Sequence, residues 1–85
     1  MAGRVVVFNK SNSIVHCFVS KYSRDSGDDE WFEINPMATE DWSRKWWELV
    51  AFKNSSDSTR GAVYVKIDHE RIIEFHSFDD IRVIV

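Results

Sequence analysis

Seventeen side chains of this sequence are valine or isoleucine, ten and seven respectively, against a single leucine, Leu49. Branching at Cβ stiffens χ1 and suits the pleated, half-buried surface of a sheet, whereas helical domains are built on leucine and alanine. Six phenylalanines, four tryptophans and two tyrosines push the same way. The expected class is all-β. With 44% hydrophobic and 29% charged residues the chain is too apolar for intrinsic disorder, and 85 residues hold one core, so residues 1-85 read as one domain. Folding at this size buries only about 60% of the unfolded surface, so an efficient core or a partner chain is needed for stability.

Polar turns divide the chain. Val5, Val6, Val7 and Phe8 form an apolar run closed by Asn9-Lys10-Ser11-Asn12-Ser13, and residues 14–22 resume it, which predicts a β-hairpin. In the second run Val15, Cys17 and Val19 alternate with Ile14, His16 and Phe18, leaving both faces apolar as in a central strand. Residues 23–29 form an acidic loop, and a third strand follows over 30–34. Residues 39–52 read as two short strands. Trp42, Trp46, Leu49 and Val50 also fit a helical i, i+4, i+7, i+8 stripe opened by Asn35-Pro36, so an amphipathic helix is the alternative there. Residues 61–67 alternate, with Val63, Val65 and Ile67 inward and Ala62, Tyr64 and Lys66 outward. Strands over 71–78 and 81–85 complete a small antiparallel β-sandwich of seven or eight short strands.

The net charge of −3 is unevenly spread: residues 1–22 carry three cations and no acid, residues 23–41 one cation and seven acids, and the remainder balances. No basic stripe exists to neutralise phosphates, which argues against a nucleic-acid partner. No apolar run approaches the roughly 20 residues of a transmembrane span, and no apolar leader opens the chain, so it reads as cytoplasmic. The lone Cys17 has no intrachain disulfide partner and reads as a small buried hydrophobe, because adjacent His16 points to the opposite strand face and cannot serve it as a base. His16, His69 and His76 lack zinc-ligand spacing, and Asp25, Asp28, Asp29 and Glu30 lack the regular spacing of a calcium loop. Neither a cofactor nor a catalytic constellation is expected, and the chain reads as non-enzymatic.

The anomaly is aromatic. Trp31, Trp42, Trp46 and Trp47 fall within 17 residues, close to Tyr22 and Phe32, more ring surface than a core this small accommodates. A tryptophan face stacks on sugar rings or sits at a lipid interface, and its N–H supplies one donor. Trp47, opening the apolar run 47–52, is expected in the core; Trp31 and Trp42, among charged neighbours, are expected at the surface.

The order Arg4-Val-Val-Val-Phe-Asn9-Lys10-Ser11, Ile14-Val-His-Cys-Phe-Val-Ser20, Trp31-Phe-Glu-Ile-Asn-Pro36, Glu40-Asp-Trp42-Ser-Arg44 and Trp47-Glu-Leu-Val50 resembles small β-sandwich proteins of mushroom-forming fungi, the aegerolysins among them. The resemblance covers roughly residues 4–53. It implies an all-β protein without an export signal that binds membrane lipids, or a lectin, and assigns no residue a role.

The expected function is lectin-like recognition of a glycan or glycolipid. Trp31, Trp42 or Tyr22 would stack on a sugar face, and Arg44, Asp28, Asp29 and Glu40 would hydrogen-bond its hydroxyls. The alternatives are membrane-lipid recognition by the same rings and self-association into a homo-oligomer through exposed strand edges.

Overall fold

The computed structural model describes residues 3–24, 26–27 and 29–84. Among these residues eight strands follow one another: β1 (Gly3–Asn9), β2 (Val15–Val19), β3 (Phe32–Ile34), β4 (Thr39–Arg44), β5 (Trp47–Lys53), β6 (Arg60–Lys66), β7 (Glu70–Ser77) and β8 (Asp80–Val83). They form two four-stranded sheets, the first in the order β4-β1-β7-β8 and the second β3-β2-β5-β6. The sandwich-like all-β architecture is the expected one, and β2 is a central strand. Five ladders are antiparallel, whereas β1 and β7 run parallel, from Arg4 beside Glu70 to Asn9 beside Phe75.

The hairpin expected over the first 22 residues does not form, because β1 and β2 belong to different sheets. The cause is Asn9, which is fully buried. Its Nδ2 donates to the carbonyls of Ser13 and Ile34, both at 2.8 Å, while its Oδ1 accepts from the Ser11 amide at 3.0 Å. The polar run after β1 therefore wraps around an amide side chain and carries the chain across to the second sheet instead of reversing it within the first.

The helical alternative over residues 36–50 gives way to β4 and β5. Every residue from Thr39 to Arg44 pairs with β1, and every residue from Trp47 to Lys53 pairs with β6, so the ladders use the backbone groups a helix would need. Only Lys45 and Trp46 separate the two strands.

Strand alternation builds the core between the sheets. Val5, Val7, Trp42, Ile73 and Phe75 face inward from the first sheet, and Val15, Cys17, Val19, Ile34, Val50, Phe52 and Val65 from the second. Phe52 and Phe75 meet across the interface with centroids 4.9 Å apart. Burial pushes the Cys17 thiol far above its ordinary pKa, because the thiolate would lose its hydration there. At the start of β1 a Cβ on Gly3 would stand 2.6 Å from the Ile67 carbonyl oxygen, so the two backbones approach this closely only because position 3 has no side chain.

Between β3 and β4, Met37 holds a left-handed φ of 65° in the turn closed by the Ala38 amide donating to the Asn35 carbonyl at 3.0 Å. Its side chain is exposed, so nothing packs in return for the strain. Met37→Gly is expected to raise stability by about 1 kcal/mol, a gain of about 4–8 °C in Tm for a domain of this size, readable by thermal melting.

Candidate functional site

The two outer faces of the sandwich differ in chemistry. On the first sheet, outward-facing charges neutralise one another. The Arg4 guanidinium bridges Asp41 at 2.8 Å and Glu70, and Lys10 lies 3.3 Å from Glu74, which also meets His76 Nε2 at 2.8 Å. The His76 contact, followed by Lys10, holds the Glu74 carboxyl below its ordinary range. Such a face is a solvated ion-pair surface.

The second sheet turns aromatic rings outward. Along β5, Glu48, Val50 and Phe52 are buried, which sends Trp47, Leu49, Ala51 and Lys53 to the outside; along β6 the outward set includes Ala62, Tyr64 and Lys66. Trp47 and Tyr64 stack diagonally across this ladder, with centroids 5.2 Å apart and planes at 23°. They remain 39% and 62% exposed. Trp46, in the turn before β5, is 53% exposed, with Lys66 Nζ 4.8 Å from its ring centroid. An exposed aromatic surface edged by an ammonium group is the result.

Trp31 lies on the same side of this sheet but is closed off. Its ring packs against Phe18 at 5.5 Å, and Lys53 Nζ and Arg60 Cζ stand 4.6 and 5.2 Å from its centroid. Arg60 is held there by paired hydrogen bonds to Asp57 at 2.7 and 2.8 Å.

The end of the sandwich beside Trp47 is polar inside. Glu48 and Arg44 are both buried, with Arg44 Nε 3.9 Å from Glu48 Oε2. Glu48 accepts from Ser20 Oγ at 2.6 Å, from the amides of Tyr22 and Ser23 at 2.9 and 2.8 Å, and from Ser23 Oγ. Arg44 donates to the carbonyls of Ser20 and Val19 at 2.7 and 3.2 Å. Ser20 makes this possible: its hydroxyl accepts the Leu49 amide at 2.8 Å, so its own carbonyl is left for Arg44 and the chain peels away from β5. Gly27 closes the arrangement, because a Cβ there would stand 2.6 Å from Arg44 Nη1.

Several expected site residues therefore need correction. Trp42 is 7% exposed and packs edge-on against Phe32, since the parity of β4 that brings Arg44 inward brings Trp42 with it. Arg44 is not available to ligand hydroxyls, because backbone carbonyls and Glu48 occupy it. Trp47, expected in the core, is on the surface. Tyr22, Asp29 and Glu40 are exposed as expected, and Glu40 borders a shallow cleft of about 200 Å³ with Phe32, Asp41 and Trp42. Asp28 lies outside the described residues. The expected residues do not form one site: Trp31 faces outward from the second sheet, whereas Trp42 faces the core from the first.

The residues missed are Trp46, Trp47, Leu49 and Tyr64. Tyr64 is outward by the alternation of residues 61–67; the misleading signal is the apolar run 47–52 opened by Trp47, in which the inward set is Glu48, Val50 and Phe52 instead.

No family model matches the chain, and no curated protein and no solved structure shows a significant similarity to it. Among the described residues no helix is long and apolar enough to cross a membrane, and no three His, Cys, Asp or Glu side chains are grouped to hold a metal ion.

Proposed function

We propose that this protein is a non-enzymatic binding module that recognises a glycan or glycolipid through the outer face of its second sheet. The observation supporting this reading is the exposed Trp47–Tyr64 stack with Trp46 beside it, on the outer face of the second sheet, whereas the outer face of the first carries the ion pairs of Arg4 and Lys10. Aromatic faces held rigidly on strands match the apolar faces of pyranose rings at little cost in conformational entropy. Lys66 and Lys53 stand where they can donate to hydroxyls at the edge of that surface.

Trp47→Ala and Tyr64→Ala are each expected to weaken binding of the strongest glycan found on an array by about tenfold or more, with far-UV circular dichroism unchanged. Isothermal titration of that glycan into each variant reads the effect. An array without signal, combined with pelleting on phosphatidylcholine vesicles free of glycolipid, would replace this reading with lipid recognition by the same rings.

A further inference from the structure

A second feature adjoins the aromatic face and carries chemistry of its own. Tyr22, Ser23, Arg24, Ser26 and Lys45 line a cleft of about 510 Å³, within the size range of small-ligand sites. Its lining offers an exposed phenol ring, the Ser26 hydroxyl, a guanidinium and an ammonium, while the Ser23 hydroxyl is committed to Glu48. Among the described residues, neither Arg24 nor Lys45 takes part in an ion pair, unlike the arginines of the outer face of the first sheet. Asp25, between Arg24 and Ser26 in sequence, lies outside the described residues.

The two walls of the cleft are fixed to each other. Ser23 is bound through its amide and hydroxyl to buried Glu48, and Ser23 Oγ accepts the Lys45 amide at 2.9 Å. The loop bearing Arg24 and the turn bearing Lys45 are thus joined at one serine, which reduces the ordering a ligand would have to impose. That turn runs directly into Trp46 and Trp47.

We propose that this cleft binds the anionic group of an acidic sugar, a carboxylate or sulfate, next to the aromatic face. Arg24 and Lys45 would hold the charge, the Ser26 hydroxyl would donate to a remaining oxygen, and the Tyr22 ring would cover the sugar. The inference rests on the glycan reading and narrows it to acidic glycans.

Amide chemical shifts followed by NMR, with glucuronate, glucose or sodium sulfate added at matched ionic strength, test it. Glucuronate is expected to move the Ser23, Ser26 and Lys45 amides, sulfate to move them more weakly, and glucose to leave them in place. An Arg24→Gln/Lys45→Gln variant with an otherwise preserved spectrum should lose about tenfold or more in glucuronate affinity. A failure of the aromatic face shows separately, as neutral oligosaccharides that leave the Trp47 indole unmoved while glucuronate still moves these amides. The proposal is overturned if glucuronate moves none of these amides, if the double variant binds it equally well, if sulfate matches it, or if calcium moves the amides and glucuronate does not.

Discussion

Trp42→Ala is expected to unfold the domain, whereas Trp47→Ala leaves it folded. Trp42 is almost wholly enclosed, opposite Val5 in the ladder and edge-on to Phe32, so truncation leaves a void between the sheets. Loss of a buried tryptophan costs about 3–5 kcal/mol, comparable to the entire stability of a domain this small. Trp47 gives up only a half-exposed ring and one stacked partner, a contribution of about 1 kcal/mol. Urea unfolding of the two variants beside the parent separates them: equal midpoints would show that the burial assigned to these rings is wrong.

Glu48→Ala is expected to be as damaging, for a different reason. The carboxylate is fully buried and satisfies the Ser20 hydroxyl, two backbone amides and the Ser23 hydroxyl, while standing opposite the buried Arg44 guanidinium. Its removal takes a negative charge from beside the buried Arg44 guanidinium and orphans the donors of the Tyr22–Ser23 turn, at a cost of about 3–5 kcal/mol. Glu48→Gln keeps the volume and one acceptor oxygen, so it should fall between the parent and the alanine variant in the same urea series. Because Ser23 also anchors Lys45, loss of amide protection at Tyr22 and Ser23 in hydrogen exchange should accompany the drop in midpoint.

These two residues also mark where sequence reasoning reaches its limit. The strand class was legible because valine, isoleucine and aromatic side chains alternate cleanly in segments such as 61–67, where one parity is apolar and the other mixed. In β5 both parities are apolar apart from one charge on each, Glu48 and Lys53, and in β4 Trp42 is the lone apolar residue among polar and charged ones, so orientation hung on which charged side chain could point inward. Glu48 and Arg44 both do, each compensated by the other and by backbone groups that sequence spacing does not reveal. Reversing them reversed Trp47 and Trp42, and with them half of the expected site. The separation of β1 from β2 was hidden for a related reason: Asn9-Lys10-Ser11-Asn12-Ser13 has the composition of a turn, and only the buried hydrogen bonds of Asn9 turn it into a crossing between sheets. Asp29 and Glu40 are exposed because they lie among polar neighbours, whereas Tyr22, read as the end of the second strand, is exposed because β2 stops at Val19 and Tyr22 falls in the turn beyond it.

The central claim, that the outer face of the second sheet is the binding surface, is tested most directly by the indole Nε1–H signals of the four tryptophans, assigned by single Trp→Phe variants and titrated with neutral and uronate-containing oligosaccharides. The account predicts that the Trp46 and Trp47 signals move with saturable dependence on the oligosaccharide while the Trp42 signal stays fixed. Movement of Trp42 with Trp46 and Trp47 unchanged, or no movement with any oligosaccharide, would contradict it.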